Sequence, residues 1–244
     1  MTKKFSARIC LAAATLALAG QAQATATVGV VNSRADLDLN GNFTYAVTMN
    51  ASANGLSLND ATFSYGLGGT PGFSVAFQNY IDAWHPTTGN GSDASLNAVV
   101  SDIVWNWNGP QNGGLLNPLT FTMGGLTVGE SYKVQLVSSE NCCARGFDIW
   151  QDGQLIADNF SVYQLAGRGG GTAFVSNTFV ATATSVTFAM GGVYSQMPDN
   201  NPVLNAVTLE HIAAPVPEPT TAGLLLAGLA VVGASARRRQ IRAR

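Results

Sequence analysis

The sequence predicts an all-β fold, an antiparallel jelly-roll-type β-sandwich with one short helix. Three observations support this prediction. Short segments alternate apolar and polar side chains, as strands with one buried face require. Clusters of Gly, Asn, Asp and Pro separate these segments, and no motif repeats at a fixed period. We expect a single domain over residues 25–214, which is long enough to bury its own core.

The predicted strands concentrate in the second half of the chain. Residues 43–49 form the first, because every second side chain there is apolar. The same pattern recurs at residues 119–123, 132–138, 146–151, 172–181, 185–190 and 203–211. Asp152-Gly153 is the strongest hairpin signal, since it separates two such runs with a dipeptide that favours a tight turn.

One segment has a helical period instead. Leu96, Val99, Val100 and Ile103 follow Asp93 at the spacing of one helix face. This predicts a short amphipathic helix packed on the sandwich.

Charge is distributed unevenly along the chain. The full chain has a formal net charge of −2, but residues 25–214 hold four Lys or Arg against thirteen Asp or Glu, a net charge of −9. An acidic body with scattered cations cannot neutralise a run of phosphates, which excludes nucleic-acid binding as an expected function.

The N-terminus has the pattern of a secretory signal. Residues 1–8 contain three basic side chains, twelve mostly apolar residues follow, and Ala22-Gln23-Ala24 fits a signal peptidase site. We expect signal peptidase to remove residues 1–24 as a signal helix, so that the mature chain starts at Thr25. An uncleaved anchor is the alternative, although the apolar run is short for a bilayer about 30 Å thick.

The C-terminus has three consecutive parts. Residues 215–219 are rich in proline and predict an extended stalk, because proline restricts both its own φ and its predecessor. Residues 220–236 are uncharged and mostly apolar, which predicts a transmembrane helix near the minimum length. Arg237, Arg238 and Arg239 follow, and such arginines place that end in the cytoplasm and the acidic body outside.

Pro217-Glu218-Pro219, the apolar segment and the terminal arginines together resemble the PEP-CTERM sorting signal of Gram-negative bacteria that make exopolysaccharide. The resemblance implies recognition and cleavage by an exosortase, after a transient stay in the inner membrane, and release to the cell surface or extracellular matrix. A permanent C-terminal anchor is the alternative.

The second half of the body also resembles a known fold. Residues 125–136, 146–153 and 201–209 are similar, in order and spacing, to strand motifs of galactose-binding-like and malectin-like domains. This resemblance implies a β-sandwich, and such domains often bind sugars through loops at one end.

Cys142 and Cys143 are adjacent, and they are the cysteines that remain once Cys10 leaves with the signal. In an oxidising compartment they can close a vicinal disulfide that stiffens its loop. Two free thiols or intermolecular bridges are the alternatives.

Asp36, Asp38 and Asn40 match the first half of a calcium loop. The twelfth position is Val47, where such a loop needs a bidentate Glu, so a polar segment leading into the first predicted strand is the alternative. We expect no cofactor other than this possible calcium ion.

Aromatic residues beside turns are the remaining candidates for ligand binding. Trp84, His85, Trp105 and Trp107 lie next to Pro, Asn and Gly, where an indole can stack on a sugar ring. Because Trp105 and Trp107 share one strand face by period two, a buried core pair is the alternative.

We therefore expect an exported, non-catalytic protein of the cell surface or matrix, either structural or carbohydrate-binding, with extracellular polysaccharide as a possible partner. The alternative function is a secreted hydrolase acting on exopolysaccharide. That enzyme would need two carboxylates at glycosidase spacing, and the candidates are Asp82, Asp93, Asp102, Asp148 and Asp158.

Overall fold

The computed structural model of the protein describes residues 26–84, 93–107, 117–167 and 171–213. The strands are β1 (Thr27–Val31), β2 (Phe43–Thr48), β3 (Ser57–Leu58), β4 (Ala61–Thr62), β5 (Ser64–Tyr65), β6 (Phe73–Ala76), β7 (Asn79–Ile81), β8 (Ile103–Trp105), β9 (Leu119–Gly124), β10 (Ser131–Glu140), β11 (Phe147–Gln151), β12 (Gln154–Phe160), β13 (Gly171–Val180), β14 (Ser185–Gly191), β15 (Val203–Leu204) and β16 (Ala206–Ile212). The α-helices are α1 (Ala94–Val99) and α2 (Val162–Ala166), and short 3₁₀ turns occupy Arg34–Asp36, Ala51–Ala53 and Gly66–Gly68.

Two large sheets form the sandwich. The six-stranded sheet has the order β1-β13-β10-β16-β2-β5, and the five-stranded sheet has the order β12-β11-β14-β9-β6. Within them only the pair of β2 and β5 is parallel. Strands β15, β8 and β7 make a small third sheet, and β3 pairs with β4. The expected antiparallel sandwich is confirmed.

The core lies between the two large sheets. Val134 and Val175 from the six-stranded sheet pack in one cluster with Phe121, Ile149 and Phe188 from the five-stranded sheet. The rings of Phe121 and Phe188 stack with their centroids 4.9 Å apart. Period-two alternation brings these side chains inward and places their neighbours on the outer faces.

The first helix covers the outer face of the six-stranded sheet. Leu96 and Val99 of α1 are buried there in a second cluster that includes Val137 and Ala206 of the sheet. Asp93 caps the helix, because its side chain accepts a hydrogen bond from the backbone N–H of Leu96.

The prediction that the helix runs to Ile103 is wrong. Helix α1 ends at Val99, and Ile103 begins strand β8. The buried amide of Asn205 donates to the carbonyl oxygens of Val100 at 2.7 Å and Asp102 at 3.1 Å. These carbonyls therefore have a partner outside the helix, which favours the turn into β8.

Two further expectations need correction. The closing strand predicted over residues 203–211 is interrupted at Asn205, so that β15 joins the small sheet and β16 the six-stranded sheet. The described residues also hold two α-helices where one was predicted. The side chain of Ser161 caps α2 by accepting from the backbone N–H of Gln164, and Gly167 follows its end with φ 90°.

The expected signal helix (residues 1–24) and transmembrane helix (220–236) lie outside the described residues. Within the described part of the chain, no helix combines the length and apolar character needed to cross a bilayer.

Candidate functional site

Several of the residues singled out by the sequence meet at one end of the sandwich, which we call the loop end. It consists of the end of β10 at Glu140, the following loop to Phe147, and the small sheet, in which Trp105 ends β8 and which Trp84 follows three residues after β7. Asp199 reaches the same place through an isolated bridge with Arg145.

Arg145 is the centre of the loop end and is 8% exposed. Its Nε donates to Oδ2 of Asp199 at 2.8 Å, and its Nη1 lies 3.6 Å from Oε2 of Glu140. Because Glu140 is 3% exposed, this is a buried ion pair, and each charge depends on the other for compensation.

Two indoles flank this guanidinium. The Cζ of Arg145 lies 5.2 Å from the ring centroid of Trp84 and 5.8 Å from that of Trp105, within the range of a cation–π interaction. Trp84 is fixed further, because its Nε1 donates to the carbonyl oxygen of Ser139 at 3.2 Å. Both indoles are half-buried, so their main contacts are with the protein itself.

The hydrogen bonding of the cluster is incomplete. Among the described residues, Arg145 Nη1, Glu140 Oε2 and Trp105 Nε1 are buried without a hydrogen-bond partner. Burial raises the pKa of the Glu140 carboxyl, although the Arg145 charge and the backbone N–H groups that donate to it act in the opposite direction.

Cys142 and Cys143 are joined in a vicinal disulfide at the rim of the loop end. The Oε1 of Glu140 accepts from the backbone N–H groups of Asn141, Cys142 and Cys143 at 3.0, 3.1 and 3.0 Å. The disulfide loop is thus held by the same carboxylate that pairs with Arg145.

Glu140 and the two sulfurs also make the only group of three potential metal-ligand atoms found within the described residues. With the sulfurs oxidised, no thiolate is present to bind a metal.

Trp107 differs from the other two tryptophans. Its side chain is 60% exposed, the highest value of any large hydrophobic residue that the structure describes. The alternative of a buried pair with Trp105 is therefore wrong, because β8 ends at Trp105 and the period-two pattern does not continue. Its backbone N–H donates to Oε1 of Gln78 at 2.9 Å, which fixes residue 107 against the segment before β7.

Two more exposed aromatic side chains lie nearby, Phe77 in that segment and Tyr80 within β7. Phe77 is 37% exposed and Tyr80 is 40% exposed. Together with Trp107 they are the exposed aromatic residues of the described chain, and all three belong to the small sheet and its flanks. We call these three residues the aromatic patch.

Two of the three calcium candidates are engaged in other contacts. The Oδ2 of Asp36 accepts from the backbone N–H groups of Asn32 and Ser33, and the Asp38 carboxylate pairs with Lys133. Calcium binding by Asp36, Asp38 and Asn40 stays a prediction, and it would have to displace these contacts.

The carboxylates named for a hydrolase are mostly committed to structural contacts. Asp93 pairs with Arg34, and Asp102 accepts from the backbone N–H of Ala83 and the hydroxyl of Ser101. Only Asp148 and Asp158 interact with each other. Burial first, and then the Asp158 neighbour, raises the pKa of the Asp148 carboxyl, while the backbone N–H of Asn159 acts in the opposite direction. The hydrolase alternative stays a prediction.

The other candidates lie outside the described residues. These are His85, Ala22, Ala24, Pro217, Glu218, Pro219, Arg237, Arg238 and Arg239. Sequence reasoning missed Arg145, Glu140 and Asp199. A signal was present, because Arg145 is one of only four Lys or Arg residues between residues 25 and 214 and lies two positions after Cys143.

Comparison with known protein families identifies the C-terminal segment. Residues 215–239 match the PEP-CTERM protein-sorting motif, which confirms the resemblance inferred from the sequence. This motif marks proteins that Gram-negative bacteria export to the cell surface, and it implies processing by an exosortase. No curated protein matches the sequence.

Solved structures similar to the body come from plant receptor ectodomains. The plant receptor-like kinase ANX2 has a TM-score of 0.55 at 14% identity, over 71% of this chain and 49% of that one. The ANX1 ectodomain from Arabidopsis thaliana gives 0.52 at 15% identity, over 72% and 52%. The ANXUR2 extracellular domain from the same plant gives 0.51 at 14%, over 78% and 51%. The chain thus spans about half the length of each. The likeness shows the fold, a malectin-like β-sandwich.

Proposed function

We propose that this exported protein is a non-catalytic carbohydrate-binding component of the cell surface or extracellular matrix, and that the aromatic patch at the loop end contacts the sugar. The PEP-CTERM motif supports delivery to the surface. The body shares its fold with extracellular domains of plant receptors, which is compatible with a binding role.

The observation that carries the proposal is the exposure of the aromatic patch. Three aromatic side chains that would gain free energy from burial are left at the surface of one small sheet. An indole or phenyl face can cover the C–H face of a sugar ring, while neighbouring amides such as Gln78 exchange hydrogen bonds with hydroxyl groups. The buried Arg145 cluster beside the patch keeps the small sheet in a fixed position, which lowers the entropic penalty of binding.

Charge favours a neutral saccharide over an acidic one. The body carries a net charge of −9, and its three described cations, Arg34, Lys133 and Arg145, all pair with carboxylates. Among the described residues no cation is therefore left without a carboxylate partner to attract an anionic polymer.

A glycan array tests this function. The mature domain should be retained on neutral glycans, and Trp107→Ala should weaken retention by roughly tenfold, since losing an aromatic stacking contact costs about 1 to 1.5 kcal/mol. Leu155→Ala is the matched control, because Leu155 is also an exposed apolar residue, at 50%, but lies on edge strand β12. If the wild type is not retained, or the Trp107 variant is retained equally well, carbohydrate binding at the patch is wrong and the structural role remains.

A further inference from the structure

A cleft of about 490 Å³ opens at the opposite end of the sandwich. Ten-residue strands β10 and β13 connect the two ends, since Glu140 pairs with Gly171 at the loop end and Ser131 pairs with Val180 beside the cleft. Ten residues at about 3.3 Å each span roughly 30 Å. The cleft is therefore separate from the loop end, and its volume falls within the range of about 300 to 1,000 Å³ typical of ligand pockets.

Two amide side chains interrupt the apolar inner faces at this cleft. On β13, Ala173 and Val175 point into the core, and Asn177 is the next residue on that face. On β11, Ile149 points into the core, and Gln151 is the next residue. The amide Nδ2 of Asn177 donates to Oε1 of Gln151 at 2.8 Å, which links the two sheets.

The amide pair is incompletely satisfied. Asn177 is 6% exposed, and within the described chain its Oδ1 is buried without a hydrogen-bond partner. Leaving such a group unpaired is destabilising, whereas two apolar residues of similar shape would be nearly neutral or stabilising. Stability alone therefore does not account for Asn177 and Gln151. A ligand hydroxyl would pair with Oδ1 once the amide turns into the cleft.

The remaining lining defines the chemistry of the ligand. Phe179 and Ile156 supply apolar surface, and Ser131 and Ser185 supply hydroxyl groups. Asp152 is the one carboxylate among the described lining residues, and its Oδ1 already accepts from the backbone N–H of Thr187 at 2.9 Å. None of the described residues that line the cleft is cationic. Neutral donors and acceptors mixed with apolar surface suit an uncharged polyhydroxylated ring.

We infer that this cleft is a second binding site, which holds one neutral sugar unit between Asn177 and Phe179. The inference shares its ligand class with the proposed function but rests on different residues. A domain with sugar sites at opposite ends holds two polysaccharide segments at once, which is the property a matrix cross-linking protein needs.

One titration distinguishes the two sites. Maltose, cellobiose and lactose are added to the ¹⁵N-labelled mature domain. The side-chain NH₂ signals of Asn177 and Gln151 report the cleft, and the indole N–H signals of Trp84, Trp105 and Trp107 report the loop end. We expect saturable shifts of the amide signals with at least one disaccharide. The double variant Asn177→Leu/Gln151→Leu lacks these amide signals, so its affinity is measured from the backbone signals around the cleft. That affinity should be lower by about tenfold or more, because two hydrogen-bonding groups are lost.

The matched control is Asn32→Leu, an exposed amide outside the cleft, which should bind as the wild type does. The double variant should keep the melting temperature of the wild type, so lost binding would not reflect unfolding.

Shifts confined to the indoles would overturn the cleft site and leave the proposed function standing. Shifts confined to the cleft would support this inference and contradict the aromatic patch. Shifts at neither place would overturn both. Displacement of the sugars by the apolar dye ANS at much lower concentration would identify a site for apolar ligands and overturn the inference.

Discussion

Replacing Arg145 by methionine should strongly destabilise the domain. Methionine keeps an unbranched apolar stem between the indoles of Trp84 and Trp105, so the main loss is the positive charge. Glu140 is then left as a buried carboxylate without its cation, while Asp199 has a side chain that is 24% exposed and can be hydrated.

The magnitude follows from the burial of Glu140. Removing one partner of a buried ion pair typically costs about 3 to 5 kcal/mol. We expect about 3 kcal/mol, because three backbone N–H groups continue to donate to Oε1 of Glu140. For a domain of this size, that loss lowers the melting temperature by about 6 to 12 °C.

The loss should depend on pH in a defined direction. The folded-state pKa of Glu140 is raised by burial, so its protonation favours folding below its ordinary pKa of about 4.3, and this contribution is lost as pH rises through the folded pKa. Arg145 acts to lower that pKa, and removing it raises the pKa further. The difference between wild type and Arg145→Met should therefore be largest at pH 7 and shrink towards pH 4.

Urea unfolding of the mature domain at pH 7 and pH 4 measures this difference. Arg34→Met is the matched control, because its partner Asp93 is a carboxylate too but the pair lies nearer the surface, and its effect should be much smaller. Adding Glu140→Gln to Arg145→Met should recover part of the loss, since an amide needs no counter-charge. A loss within about 0.5 kcal/mol of zero, the range of ordinary surface substitutions, or an equal loss at both pH values, would refute the buried-pair argument.

Two further predictions concern the cysteines and the sorting segment. Alkylation of the native mature protein should add no label to Cys142 and Cys143, as mass spectrometry will show; two labelled thiols on the monomer would contradict the vicinal disulfide. Glu218→Gln, or deletion of residues 237–244, should leave the protein in the inner membrane fraction, and unchanged release to the medium in both variants would contradict exosortase sorting.

The sequence predicted the regular part of the fold because burial is periodic there. Strands β9, β10, β11, β13 and β14 each alternate between an inner and an outer face, and that alternation is legible in the residues themselves. The failures occur where a distant side chain decides the local structure. Asn205 redirects residues 100–103 from helix to strand through two hydrogen bonds across more than 100 positions, and no local pattern contains that information.

The candidate site was predictable only in its components. The tryptophans and cysteines were identifiable by type and context, but their common centre, Arg145, was not. Its partners Glu140 and Asp199 are 5 and 54 positions away, and the isolated bridge between Arg145 and Asp199 brings the more distant of them to the loop end. Asn177 and Gln151 fall within two predicted strands, but sequence reasoning did not single them out. Their proposed role in the cleft depends on the hydrogen bond between the two sheets, which only the structure reveals.

The direction of the last strand relates the two ends of the domain to its export. Strand β16 runs antiparallel to β10, so that Ile212 lies beside Ser131 at the cleft end. The chain therefore leaves the sandwich towards the sorting segment at the cleft end, about the length of a ten-residue strand from Glu140. The cleft therefore lies at the end from which the chain continues to the sorting motif at residues 215–239, and the aromatic patch lies at the other end. If the predicted transmembrane segment holds the precursor at the membrane, sugar binding at the cleft should be weaker in that form than in the released domain. Equal affinity in the two forms would contradict this prediction.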